Sequence, residues 1–223
     1  ESDVIRIGYV NPTTGALAGN GEGCDWVVDR FTKYVKEHPI SVDGKQKTIE
    51  VIVYDSTSDQ NVCTEMTQKL IEEDKVDLMI AIQTPNTVIP VVQVAERYGI
   101  PCIATQAPID PVANSLDEYQ WTYLAFYTLD QVYESQRALW TKAGHAPGSG
   151  AKVGLLFAND ADGTAWHDIF VRRLAEDGYV PVDPGQYPSH TTDFTNVASR
   201  FRAEQIDVLA GTNIPPDFMN AYN

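Results

Sequence analysis

The sequence predicts an α/β chain built as two lobes, each a parallel sheet flanked by helices. Three observations carry this. Short apolar runs alternate with stretches of helical periodicity along the whole chain. Glycines close two of the helical stretches, at Gly99 and Gly178. The alternation runs up to about Tyr127 and then begins again, so residues 1–127 and 128–223 read as separate lobes.

Each element follows from its residues. Ile5–Val10 (IRIGYV) reads as the first strand. Asp25–Lys36 follows as a helix, with Val27, Phe31, Tyr34 and Val35 on one inward face. Gly44 lies in a polar turn, and Ile49–Tyr54 (IEVIVY) is the second strand. Cys63, Met66, Leu70 and Ile71 mark the inner face of the next helix. Leu78–Ile82 (LMIAI) is the third strand, and Val88, Val91, Val92 and Ala95 give the helix behind it. Ile100–Ala104 and Tyr123–Tyr127 are the fourth and fifth strands. In the second series Val132–Ala143 is a helix, Ala146–Gly150 a turn and Val153–Ala158 (VGLLFA) a buried strand. Trp166, Ile169, Phe170 and Leu174 form a helix face. Tyr179–Val182 is the next strand. Thr192-Asp193 starts a helix with Phe194, Val197, Ala198 and Phe201 inward, and Ile206–Ala210 is the last strand. Continuous apolar strands imply Rossmann-like parallel sheets covered on both faces. Three strands make a poor sheet with an unprotected edge, so the second lobe is expected to be incomplete and the polypeptide longer.

Composition excludes several classes of function. Lys+Arg is 16 against Asp+Glu 31, a net charge of −15. That repels nucleic-acid phosphates and anionic membrane surfaces, so no nucleic-acid partner is expected. No stretch approaches the ~20 apolar residues of a membrane span. The three cysteines, Cys24, Cys63 and Cys102, form no C-x-x-C, and the histidines show no ligand spacing. No metal and no cofactor is expected. Gly19–Gly23 does not fit a dinucleotide fingerprint, and Glu22 would oppose a phosphate. Ser149 lacks the strand–turn–helix setting of a nucleophile elbow. The start of the chain runs straight into a strand pattern, so any signal peptide is expected to have been removed already.

In parallel α/β sheets ligands bind beyond the carboxyl ends of the strands. The segments there are Asn11–Gly15, Asp55–Asp59, Gln83–Thr87, Thr105–Ala107, Asn159–Thr164 and Gly211–Asn213. They are rich in hydroxyls, amides and glycines, and several precede helices, so backbone N–H groups point into the same space. Any one of Thr84, Asn86, Thr105 and Asn159 is as well explained as a cap or turn residue. The recurrence across two lobes is the stronger signal. Asp160 and Asp162 read first as turn formers, then as ligand contacts, then as paired catalytic carboxylates. Phe126 and Tyr127 either line a cleft or belong to a strand core.

The segments IRIGYVNPTTGALAGNGEG, IEVIVYDSTSDQNVCTEMTQKLIEEDKVDLMIA, VAERYGIPCIATQA, VGLLFANDADGTAW and TTDFTNVASRFRAEQIDVLAGTN, in that order, resemble the type I periplasmic binding proteins of the leucine/isoleucine/valine family. The resemblance implies an extracytoplasmic receptor, periplasmic or lipid-anchored, that binds a small molecule between two lobes and presents it to an ABC transporter permease in the membrane. It implies no catalysis. By position, the first-lobe contacts fall on Asn20, Thr84, Pro85, Asn86, Thr105, Gln106 and Ala107, with Tyr127 at the crossing and Asp162 and Asn213 from the second lobe. Hydroxyls that hold a ligand carboxylate in the amino-acid-binding members are shifted here, or replaced by Pro85 and Gln106. An amino acid, an amide, a urea-like compound and an aromatic acid all stay open as ligands. So do two other readings: a Rossmann-like enzyme using Asp160 or Asp162 as acid or base, and a two-lobe ligand sensor.

Overall fold

The computed structural model describes residues 3–212 and 215–222. The chain divides into two compact units, Glu1–Phe126 and Tyr127–Asn223. The first unit holds strands β1 (Val4–Asn11), β2 (Ile40–Val42), β3 (Lys45–Asp55), β4 (Leu78–Ala81), β5 (Cys102–Ala104) and β6 (Thr122–Leu124). They form one sheet in the order β2-β3-β1-β4-β5-β6. All neighbours are parallel except β2, which pairs antiparallel with β3. Its helices are α1 (Ala18–Gly21), α2 (Cys24–Glu37), α3 (Gln60–Glu72), α4 (Pro85–Tyr98) and α5 (Ile109–Asn114).

The predicted polar turn is a hairpin. Asp43 and Gly44 both have positive φ, 51° and 77°, as a tight two-residue connection between twisted strands requires. β2 is three exposed residues long, and its two apolar residues, Ile40 and Val42, are too few to mark a strand in the sequence. The expected fourth and fifth strands shorten to β5 and β6. Gly99, at φ 69°, closes α4 as expected.

The two faces of this sheet differ. On one, Val10, Met79, Ala81 and Cys102 meet Leu70 of α3 and Val88, Val91 and Val92 of α4 in a closed core. Gly8 admits Met79 here, since a Cβ at that position would lie 2.5 Å from the Met79 sulfur. On the other, Val53, Tyr9, Ile80, Ile103 and Tyr123 stand in register across five strands. α2 packs over the β3 end of that row, while Ile103 is 46% and Tyr123 61% exposed. The expected inward stripe of α2 is corrected accordingly. Only Val35 is buried, and Val27, Phe31 and Tyr34 are exposed.

The second unit contains α6 (Leu129–Lys142), β7 (Lys152–Phe157), α7 (Ala161–Glu176), β8 (Val180–Val182), α8 (Thr195–Glu204), β9 (Val208–Thr212) and α9 (Pro215–Tyr222). Its three strands are parallel in the order β8-β7-β9. β7 is buried on both faces, as its unbroken apolar run requires. Val153, Leu155 and Phe157 pack with Tyr133, Trp140 and Phe170, while Leu156 joins Phe194 and Phe201 on the opposite side. α6 opens on a reciprocal cap: Thr128 Oγ1 accepts from the Gln131 N–H (3.3 Å), and the Gln131 side chain accepts from the Thr128 N–H (3.0 Å). α8 begins at Thr195, three residues later than expected. Asp193 accepts from the Thr195 N–H at 2.9 Å, which holds the preceding residues in a turn. Among the described residues no helix is long and apolar enough to cross a membrane.

Candidate functional site

The loops after β1 and β3 are bound to each other. Asp55, the last residue of β3, accepts from the N–H groups of Thr13 (3.0 Å), Thr14 (3.1 Å) and Thr57 (2.8 Å), and from the Thr14 hydroxyl (2.6 Å). Burial alone would raise its carboxyl pKa, but these bonds to the charged form outweigh it and hold the pKa below the usual range. Ser58 Oγ donates to the Thr14 carbonyl (2.7 Å) and accepts from the Leu17 N–H (3.0 Å). Gly15, at φ 87°, has no room for a side chain, because a Cβ would sit 2.3 Å from the Thr57 carbonyl oxygen. The Asp55–Asp59 segment therefore acts as a staple for the first loop.

Buried Asn11 continues that loop inward. It accepts from the Tyr9 hydroxyl (2.6 Å) and donates to Thr13 Oγ1 (3.0 Å) and the Gly21 carbonyl (3.3 Å). Gly21 lies so close to Pro12 that a Cβ would approach its carbonyl oxygen to 2.3 Å. Asn20 and Cys24, flanking this segment, line a cavity of about 420 Å³. The cavity runs between α2 and the sheet, walled by Ile7, Val51, Ile80 and Ile82 and by Val27, Val28 and Phe31 of α2. Its polar edge is Tyr9, Asn20, Cys24, Gln83 and Gln106, with Glu22 beside them.

Gln83 and Gln106 follow the adjacent strands β4 and β5, and both have positive φ, 96° and 61°. Glutamine adopts this conformation at a cost, and such strain concentrates at ligand-binding positions. The Gln83 carboxamide lies within hydrogen-bonding reach of the Tyr9 hydroxyl. Burial pushes the Tyr9 phenol well above its ordinary pKa, and it pushes the Cys24 thiol up as well. Both groups are therefore neutral at physiological pH. Cys63 and Cys102 are fully buried, with thiols pushed up to about 11 and about 12 by burial, so they belong to the core. All three cysteines are free.

The sequence-predicted residues separate into groups. Asn20 and Gln106 meet at the cavity. Thr84, Pro85 and Ala107 are buried at the same strand ends without lining it. Thr84 Oγ1 is buried at the start of α4 with no hydrogen-bond partner. Asn86 faces Gln60 (3.5 Å), and the Thr105 hydroxyl is occupied by the Ala125 carbonyl (2.8 Å). Tyr9, Cys24 and Gln83 were not among the expected contacts. Gln83 directly follows a strand, which was its available signal, whereas Tyr9 reads as an ordinary strand residue.

In the second unit Asp160 caps α7, accepting from the Gly163 N–H (2.8 Å) and the Ser189 hydroxyl (3.1 Å). Asp162 accepts from Trp166 Nε1 at 3.0 Å. Burial, and then the charge of Asp160, raise the Asp162 carboxyl to about 6. The Tyr127 phenol is raised by burial and by the Asp162 charge, so these two predicted residues share one neighbourhood. Asn213 lies outside the described residues. Among the described residues no group of His, Cys, Asp and Glu is arranged to hold a metal ion.

Comparison with solved structures supports the same architecture. A solute binding protein of an ABC transporter from Rhodopseudomonas palustris, in complex with 3,4-dihydroxybenzoic acid, superposes with a TM-score of 0.79 at 22% identity, over 99% of this chain and 57% of its own. A periplasmic binding protein from Burkholderia mallei gives 0.81 at 20% identity, over 99% of this chain and 56% of its own. A leucine binding protein from Thermotoga maritima gives 0.75 at 16% identity, over 93% and 55%. This chain thus spans a little over half the length of these proteins, and at such identities the likeness speaks for the fold. The periplasmic binding protein family is matched across residues 4–223, nearly the whole sequence, and the chain belongs to that family.

Proposed function

We propose that this chain forms the ligand-receiving part of an extracytoplasmic, periplasmic-type receptor that delivers a small polar molecule to an ABC transporter permease and leaves it chemically unchanged. One observation carries the reading. In a chain of this family, uncharged hydrogen-bonding side chains, Asn20 of α1 and Gln83 and Gln106 after the ends of β4 and β5, gather with Tyr9 around one cavity. A concave site with an apolar wall and a few fixed polar groups recognises a small molecule. The carboxylate Asp160 is committed to its helix cap, which speaks for binding rather than acid–base chemistry. Asp162 and Tyr127 remain in the proposed contact set.

The candidate ligands are an amino acid, an amide, a urea-like compound and an aromatic acid. Two solved relatives from Rhodopseudomonas palustris hold 3,4-dihydroxybenzoic acid and 4-hydroxybenzoate, which supports the last class. The proposal extends to domain organisation: residues 1–127 and 128–223 are two ligand-binding lobes. A parallel sheet is ordinarily covered on both faces, so the exposed Ile103 and Tyr123 call for helices from further sequence of a longer polypeptide. A thermal-shift screen across the four ligand classes tests the reading. A true ligand at ~100 times its Kd stabilises by ~2.7 kcal/mol, and no shift in any class refutes it.

A further inference from the structure

We infer that a monovalent cation, sodium or potassium, is bound inside the second unit against the Asp217 carboxylate, where the turn of residues 187–191 meets α9. This goes beyond the receptor reading and stands apart from it. Asp217, in the first turn of α9, is fully buried. Its Oδ2 accepts from the His190 N–H at 3.2 Å, and its Oδ1 has no hydrogen-bond partner. Among the described residues no Lys, Arg or His side chain pairs with it. A buried carboxylate with no compensating charge is costly, so the fold leaves a place for one.

The surroundings define the guest. His190 has a left-handed backbone, φ 70°, a conformation held at a cost, and from it the N–H reaches Asp217. Asn220 of α9 donates to the Thr191 carbonyl at 3.2 Å, so helix and turn are tied together twice. Burial first, then the charges of Asp217 and Asp160, raise the Tyr187 phenol. Two carboxylates and a phenol therefore share this neighbourhood, and Asp160 also accepts from the Ser189 hydroxyl at 3.1 Å. The side-chain ligands on offer are all oxygens, which suits a hard cation. One uncompensated carboxylate calls for one positive charge. A divalent ion would call for a larger acidic or imidazole set, and no such set is present among the described residues. Asp217 is enclosed by this chain's own atoms, so the site is closed to a side chain of further sequence, whereas a bare ion is small enough to be enclosed.

Thermal unfolding of the whole chain in sodium chloride, potassium chloride and choline chloride, at equal ionic strength, separates binding from charge screening. An ion at ~10 times its Kd should raise the Tm by about 3 °C or more over choline, and the rise should saturate. Asp217→Asn keeps the shape and removes the charge, and is expected to abolish the difference between salts. Equal Tm values in the three salts overturn the inference, since a proton or a water at Asp217 does not distinguish them. A salt-specific rise retained by Asp217→Asn puts the ion elsewhere and overturns it as well. Hydrogen exchange of the parent chain gives a reading that needs no variant. Sodium or potassium is expected to slow exchange over choline in residues 187–191 and 216–222, and unchanged exchange there overturns the inference.

Discussion

Asp162→Asn is expected to stabilise the second unit, and to do so only above the acid range. The Asp162 carboxyl is raised to about 6 from its ordinary 3.8, first by burial and then by the charge of Asp160. A folded-state value above the unfolded one means that the native chain holds its proton more tightly. The stability this represents is complete below pH 3.8 and is lost as pH rises through about 6. At 1.36 kcal/mol per tenfold change in proton affinity, the loss above pH 7 is about 3 kcal/mol. Asparagine has the same shape, keeps an oxygen for Trp166 Nε1 and never ionises. The variant should therefore exceed the parent by about 3 kcal/mol at pH 8, by about half that at pH 5, and by only about 0.5 kcal/mol at pH 4. Urea unfolding followed by far-UV circular dichroism at each pH measures this directly. An equal gain at pH 4 and pH 8 would refute the reasoning, because a neutral packing effect has no pH dependence. So would a loss at pH 8, which would mean that the ionised carboxylate is held by a favourable partner.

Two further substitutions probe the first unit. Gly21→Ala drives a methyl to within 2.3 Å of the Pro12 carbonyl oxygen. It should cost about 1–3 kcal/mol through backbone displacement and weaken any ligand that depends on Asn20; an unchanged Tm together with unchanged binding would count against the loop as a shaped element. Glu96, on α4, accepts from the backbone N–H groups of Gln120 (3.1 Å), Trp121 (2.8 Å) and Thr122 (2.6 Å), tying down the start of β6. Burial works to raise its carboxyl pKa, yet the hydrogen bonds prevail and lower it. Glu96→Gln should therefore cost about 1–2 kcal/mol at pH 7, with the difference fading as pH falls through the lowered value; equal stability at pH 7 would show that the charge contributes nothing.

The strands and helices with strong apolar periodicity were legible from residues alone. LMIAI and VGLLFA are too apolar to be anything but interior strands, and Gly99 and Gly178 stop their helices at φ 69° and 72°. What escaped has a physical reason in each case. β2 is too short and exposed to leave a pattern. α1 and α5 have four and six residues, less than two turns, and so no periodicity. α2 carries an apolar stripe that suggests burial, yet the sheet meets only its Val35 edge. The site was legible as a set of strand-end loops, not as a set of side chains. Gln83 and Gln106 matter because their backbones are left-handed, and nothing in the identity of a glutamine announces that. Tyr9 matters because Asn11 turns back to meet its hydroxyl.

On the receptor reading, the Asp55 staple has a consequence for how a guest would be chosen. Three hydrogen bonds accepted from the β1 loop by one carboxylate make that side of the entrance a stiff lip, already set before anything arrives, so little ordering entropy is lost there on docking. The opposite lip is α2, of which Val35 alone is buried among the described residues. Discrimination by polarity thus belongs to the rigid side, tolerance of bulk to the less deeply packed one, and analogues that grow toward α2 should be admitted more readily than those that grow toward Asp55.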